Sequence, residues 1–170
     1  DINLASMALG SMTLGVTPLE MTGGYQIYAN GGYFTKPYSY TEVRDADGNV
    51  ILQKDTTPRR VISAETATIV NRLLQRVVYG PYGTGTPAAF PNMTIGGKTG
   101  TSDDDYNQWF MGITPYYVCG VWMGYDTPET IRYGGAVPYA PPLLWKSIMQ
   151  PLHEGLGNKQ FPGWGEGNIE

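Results

Sequence analysis

The chain has 170 residues, a formal net charge of −4, 41% hydrophobic residues and 15% charged residues. That composition excludes a disordered tail, and the length suffices to bury the core of one domain. The acidic balance and the lack of a basic run speak against a nucleic-acid partner or a membrane-surface helix.

No apolar run approaches the roughly 20 residues that span a bilayer. One cysteine, Cys119, and one histidine, His153, allow neither an internal disulfide nor a His/Cys metal cluster. No His/Cys metal centre is therefore expected, and nothing in the composition calls for an organic cofactor. The start at Asp1, without an initiator Met, suits an excised piece of a longer protein.

Residues 1–15 show no clear period and read as a loop or the end of a helix. Thr17-Pro18-Leu19-Glu20 is a helix start: Thr17 caps, Pro18 suits the first position and Glu20 closes a capping box. This helix runs to Asn30 and stops at Gly31-Gly32, with Leu19, Tyr25, Ile27, Tyr28 and Ala29 supplying apolar contacts. Gly23-Gly24 weakens it by roughly 1 kcal/mol per glycine, which a close packing partner would explain. Residues 33–53 read as β, with Asp45-Ala46-Asp47-Gly48 as a hairpin turn. Residues 54–60 form a polar connector.

Ser63 caps a second helix, with Ala67, Val70, Leu74, Val77 and Val78 as its apolar stripe. It ends near Tyr79-Gly80, where a Gly/Pro-rich loop begins that contains Gly83-Thr84-Gly85-Thr86-Pro87. Three strands follow, at 93–102, 108–114 and 117–125, joined by turns at Asp103-Asp104-Asp105 and Thr114-Pro115 into an antiparallel meander. Residues 118–123 are apolar on both faces and predict a central strand. Residues 127–140 are loop. Pro141-Pro142 opens a last helix, with Leu144, Trp145, Ile148 and Leu152 facing inward and His153 near its end on the surface. The fold class is α+β, an antiparallel sheet with helices packed on its faces. One domain covers 1–156, and 157–170 is a Gly-rich tail.

The chemically loaded stretch is Gly96-Gly97-Lys98-Thr99-Gly100-Thr101-Ser102, which gathers one cation, three hydroxyls and three glycines. With no apolar side chain to pack, it reads as a strand laid along a cleft. A plainer reading is a solvated lysine among packing glycines. A phosphate loop is excluded, because Asn92 stands where that motif needs Gly and a β run follows where it needs a helix. The acidic triplet 103–105 lacks the spacing of a calcium loop and reads as a turn. Cys119, inside an apolar run, reads as a small buried residue.

Lys98-Thr99-Gly100 is a signature triplet of penicillin-binding proteins and class A β-lactamases. With Thr101-Ser102, with Gln108-Trp109-Phe110-Met111-Gly112-Ile113-Thr114-Pro115 and with Gly120-Val121-Trp122-Met123-Gly124-Tyr125-Asp126, it closely resembles the transpeptidase domain of class A high-molecular-weight penicillin-binding proteins. Upstream, the segment from Leu9 to Met21 and Tyr28-Ala29-Asn30-Gly31-Gly32 resemble the same family. The resemblance runs from about Leu4 to Leu152.

It implies a serine D,D-transpeptidase that cross-links peptidoglycan stem peptides and is the target of β-lactam antibiotics. It also implies a membrane-anchored parent on the extracytoplasmic face of the bacterial membrane, with an upstream glycosyltransferase domain. By the same resemblance, Lys98 and the Thr101 backbone amide are catalytic. Thr99, Gly100 and Thr101 grip substrate, and Trp109 lines the rim of the cleft or the core.

One departure is severe. The serines at 6, 11, 39, 63, 102 and 147 have Leu9, Leu14, Glu42, Thr66, Asp105 and Gln150 three residues on, so none starts a Ser-x-x-Lys motif, and none starts Ser-x-Asn. The expectation is the C-terminal part of a transpeptidase/β-lactamase-like fold, incomplete and inactive alone, whose partner is the remaining N-terminal part of the same domain. An apolar surface of the sheet should then be left bare. A β-lactamase or D,D-carboxypeptidase, and a non-catalytic penicillin-binding sensor, are the alternative parents.

Overall fold

The computed structural model describes residues 4–8, 10, 15–132 and 140–163. Residues 133–139 of the loop expected at 127–140, the tail beyond residue 163, and residues 1–3, 9 and 11–14 lie outside the described residues. A short helix α1 (Leu4–Ala8) buries no side chain.

Helix α2 (Pro18–Ala29) begins as its sequence dictates. Thr17 Oγ1 accepts from Glu20 N at 3.2 Å, and the Glu20 carboxylate accepts from Thr17 N at 2.9 Å, a complete capping box. Gly23 is buried because a side chain there would meet Pro37 Cγ at 2.9 Å, whereas Gly24 has open space, so only the first glycine has the expected packing partner. Leu19 is exposed and makes no core contact of the kind expected. The helix stops where Gly31 and Gly32 take positive φ.

At Gly32 a Cβ would lie 2.3 Å from Ile62 O, which admits only glycine beside the strand pair β1 (Tyr33–Phe34) and β4 (Arg59–Arg60). The polar connector at 54–60 thus ends in a short strand. Between them, β2 (Glu42–Arg44) and β3 (Val50–Gln53) make the expected hairpin, with Gly48 at φ +86°. Tyr38 and Tyr40 precede it as exposed irregular chain, not strand.

Helix α3 (Ala64–Tyr79) is capped by Ser63, whose hydroxyl accepts from Thr66 N. Ala67, Thr68, Asn71, Leu74 and Val78 are buried. Asn71 faces inward because its Nδ2 donates to Tyr28 O at 2.9 Å, tying α3 to the end of α2. A 3-10 turn at Thr86–Ala88 leads to the meander β5 (Gly96–Thr101), β6 (Asn107–Ile113) and β7 (Val118–Gly124), in the order β5-β6-β7 and antiparallel throughout. Helix α4 (Ala140–Leu152) closes the fold.

The alternation of strand side chains splits the core in two. Phe110 and Val121 lie on one face, against Trp145 and Met149 of α4. Ile113 and Val118 lie on the other, with Leu74 of α3 and Tyr25 and Tyr28 of α2. Helices α2 and α4 both pack on β7, whose side chains are buried or half-buried, so the bare apolar surface expected of the sheet is not found on this strand. Two further expectations fail. First, β7 is an edge, not the centre, of the described sheet, and β6 is central. Second, α4 is turned so that Pro141, Pro142, Trp145 and Met149 are buried, while Leu144, Ile148 and Leu152 are exposed. Trp145 sets that rotation: its indole N–H donates to Cys119 O at 3.0 Å, and its ring stands edge-on to Phe110 at 5.5 Å.

His153 is also a correction, since it is only 6% exposed. Its Nδ1 donates to Met149 O at 2.6 Å, and its Nε2 meets Thr114 Oγ1 at 2.9 Å. Phe90, Tyr116 and Tyr117 surround its ring. A polar group finds partners before it is buried, so one histidine with two bonded nitrogens serves as core.

Gly112 lies under Trp145, where a Cβ would come within 2.3 Å of Cε2. Gly112→Ala is expected to destabilise the fold by about 1–3 kcal/mol through overpacking, read as a lower thermal midpoint. An unchanged midpoint would show that the indole has room to move. At the capping box, hydrogen bonds from the Thr17 backbone and then its side chain hold the Glu20 carboxyl below its ordinary value. Its contribution is therefore complete above the ordinary glutamate range and is lost as pH falls through the lowered folded value. Glu20→Gln should remove this acid-side dependence from a stability–pH profile.

Candidate functional site

The Lys-Thr-Gly stretch is β5, and its geometry follows from two neighbours. On one side it pairs with β6 through Lys98 opposite Met111, Thr99 opposite Phe110, Gly100 opposite Trp109 and Thr101 opposite Gln108. On the other side no strand pairs with it among the described residues. Antiparallel ladders alternate between bonded and non-bonded pairs. Ser102 N donates to Asn107 O at 3.0 Å, which makes 102–107 a bonded pair. By alternation, the N–H groups of Gly100 and Lys98 point into the ladder, and those of Thr101 and Thr99 point out to the open edge.

Side chains alternate as well. Lys98 and Gly100 share a face with Trp109 and Met111, while Gly97, Thr99 and Thr101 share the opposite face with Phe110. Gly97 is buried directly over Phe110, where a Cβ would lie 2.4 Å from Cζ. Gly96 is similarly close to Leu74 and Ile113, at 3.2 and 3.3 Å. These two glycines serve the packing beneath the strand. Gly100 differs, since a Cβ there would meet only Trp109 Cβ at an ordinary 3.5 Å.

Lys98 is exposed, and its Nζ donates to Thr99 O at 2.7 Å, which holds the ammonium against the strand that carries the outward amides. Thr99 Oγ1 lies 2.7 Å from Thr84 Oγ1, on the loop that follows α3. The fold brings that loop to the strand across 15 residues of sequence. Trp109 is half-buried, with its ring centre 6.3 Å from that of Trp122. Trp122 Nε1 donates to Asn107 Oδ1 at 2.9 Å, and Asn107 N donates to Ser102 Oγ at 2.9 Å. This chain of bonds fixes the end of β5, and Ser102 is engaged in it. The acidic triplet forms a short 3-10 turn in which Asp104 and Asp105 have φ near +58°.

Among the described residues no group of His, Cys, Asp and Glu could hold a metal ion. Burial pushes the Cys119 thiol up, away from the reactive thiolate. His153 has a threonine and a carbonyl as partners and no serine. Two grooves, of about 390 and 440 Å³, follow the outer face and C-terminal loop of α3, where Arg76 borders both.

The chain matches the penicillin binding protein transpeptidase domain over residues 1–149. It belongs to that family. Penicillin-binding protein 1A of Clostridium botulinum is 40% identical over 93% of the chain, and penicillin-binding protein 4 of Bacillus subtilis is 38% identical over 88%. The chain spans only 19% and 24% of those two proteins' lengths. Among solved structures, penicillin-binding protein 3 of Mycobacterium tuberculosis complexed with ampicillin is 29% identical and superposes with a TM-score of 0.67 over 87% of this chain and 37% of its own. Penicillin-binding protein 1A of Haemophilus influenzae, at 23% identity, shares the fold with a TM-score of 0.75 over 92% of this chain and 29% of its own. The α+β architecture is thus a fragment of the transpeptidase fold. No helix among the described residues is long and apolar enough to cross a membrane.

The two kinds of glycine in this family's signature strand should separate experimentally. Gly97→Ala is expected to lower stability by about 1–3 kcal/mol, because Phe110 has no room to give. Gly100→Ala should fold nearly as well as the parent sequence. Equal thermal midpoints for the two variants would contradict the packing assigned to Gly97.

Proposed function

We propose that this chain is the Lys-Thr-Gly part of a serine D,D-transpeptidase that cross-links peptidoglycan stem peptides and is acylated by β-lactams. The observation that carries the reading is the open edge of β5, where Lys98 Nζ is held on Thr99 O and the Thr99 and Thr101 amides face outward. Family membership and the ampicillin complex of the tuberculosis relative support it.

In this reading an extended stem peptide adds to the open edge of β5 as a further strand. Lys98 and the hydroxyls of Thr99 and Thr101 hold its terminal carboxylate through charge-assisted hydrogen bonds. A serine oxygen attacks the penultimate D-alanine carbonyl carbon, and the Thr101 N–H stabilises the oxygen as it turns negative. The C–N bond then breaks, the leaving amine takes a proton, and the terminal D-alanine departs. The resulting serine ester passes its acyl group to an amine of a second stem peptide, which frees the serine. Trp109 borders the face that carries Lys98, and Gly100 leaves the strand surface clear for the peptide.

The serine and its base belong to another part of the same domain. An unactivated hydroxyl is a poor nucleophile near neutral pH, and no serine here has the lysine one helical turn away that would activate it. That part is the chain's partner, together with stem peptides and β-lactams. The parent protein is anchored on the extracytoplasmic face of the membrane and carries a glycosyltransferase domain, as the sequence resemblance to class A penicillin-binding proteins implies.

Stopped-flow acylation of the full-length protein by a fluorescent penicillin tests this. Lys98→Ala should slow acylation at least tenfold, since a charge-assisted contact contributes about 1.5–3 kcal/mol. Thermal stability should hold, because the side chain is exposed. Gly100→Ala should fold yet acylate more slowly. An unchanged rate in Lys98→Ala would remove this lysine from the site. The 170-residue chain incubated alone should give no covalent adduct by intact mass, and a stoichiometric adduct would show that the nucleophile lies within it.

A further inference from the structure

We propose that Thr84 is a positioning residue for carboxylate recognition, acting through the Thr99 hydroxyl; the proposal rests on the transpeptidase reading above. The two hydroxyl oxygens are 2.7 Å apart, a full hydrogen bond between residues 15 apart in sequence. Each hydroxyl has one proton to give. Their mutual bond uses one of the two, so the pair has a single proton left for a ligand. If Thr99 donates to Thr84, its proton is turned away from the edge of β5. If Thr84 donates to Thr99, the Thr99 proton is free for a carboxylate. An arriving anion selects the second arrangement, a chain running Thr84 to Thr99 to carboxylate, in which each bond polarises the next.

The loop is built to hold Thr84 in this place. Gly85 N donates to Val77 O at 2.9 Å, and Gly83 N donates to Gly80 O at 3.0 Å. A Cβ on Gly83 would lie 2.3 Å from Val77 O, so the loop sits on the last turn of α3 closer than any side chain permits. A Cβ on Gly85 would lie 3.1 Å from Phe110 Cε2. That is the same ring over which Gly97 of β5 is packed. Loop and strand therefore take their positions from one buried side chain, and the separation of the two hydroxyls follows from packing, not from chance contact of surface residues. Among the described residues neither threonine hydroxyl has a second side-chain partner, so the pair can reorient as a unit.

The test uses the full-length protein with benzylpenicillin and its methyl ester, which lacks the carboxylate charge. The readout is the ratio of their acylation efficiencies, with binding and acylation rate measured separately. Thr84→Val should lower the ratio at least fivefold, mainly through weaker binding of the free acid. Thr84→Ser, which keeps the hydroxyl, should stay within twofold of the parent ratio. Thr84→Ala serves as the second hydroxyl-free variant if Val is poorly tolerated. The double variant Thr84→Val with Thr99→Val should fall no further than Thr99→Val alone.

An unchanged ratio in both hydroxyl-free variants, failure of Ser to retain it, or full additivity with Thr99→Val would each overturn the proposal. If the unsubstituted protein is not acylated by benzylpenicillin at all, the transpeptidase reading falls first. If it is acylated normally and only the Thr84 ratio fails to move, that reading stands and the positioning role alone is lost.

Discussion

Phe110 is the side chain on which the rest depends. It is fully buried in the central strand, edge-on to Trp145 beneath it and against Gly97 and the Gly85 backbone above. An aromatic ring of that size in a close-packed interior leaves neighbouring backbone no latitude. Glycine at both positions lets the two segments come down onto it, Gly97 leaving no space for a Cβ and Gly85 only a tight one. Strand β5 then lies flat along β6 in a fixed register, and the loop after α3 is drawn to the same level. A site that needs hydroxyls and amides placed to within a fraction of an ångström is thus supported by an apolar contact that takes no part in the chemistry.

The second constraint is the open edge. An unpaired strand edge is ordinarily a liability, because its amides and carbonyls template unwanted pairing. Here a cation covers it: Lys98 folds back onto Thr99 O and places charge where a neutral strand would otherwise add. The same arrangement suits a substrate that is both strand-like and anionic. Antiparallel alternation assigns the inward amides of Lys98 and Gly100 to the ladder and leaves the outward amides of Thr99 and Thr101 without a strand partner among the described residues, at the edge proposed to take the substrate.

Much of this was legible in the sequence, and the exceptions have physical causes. Thr17 and Glu20, Ser63, and the turn at Gly48 announce local structure through local chemistry, and local chemistry survives folding. The meander was readable because 93–125 alternates strand and turn signals without ambiguity. The inward face of α4 was misjudged because Leu144, Ile148 and Leu152 look like a stripe, whereas one tryptophan with an N–H to satisfy decided the rotation. His153 was misplaced because nothing near it in sequence reveals that Thr114 waits 39 residues away. Asn71 was missed in the α3 face for the same reason, as its partner is a carbonyl on α2. In the site, Lys98 and the threonines were readable as a motif. The function of each glycine was not, since Gly97 and Gly100 differ only in what lies beneath them.

Residue-resolved amide hydrogen exchange in the full-length protein, with and without a bound penicillin, tests the central claim most directly. The account predicts slow exchange at Lys98 and Gly100 and fast exchange at Thr99 and Thr101 in the free protein, with Thr101 becoming protected on acylation. Protection of Thr101 already in the free protein, or no change there on acylation, would contradict it.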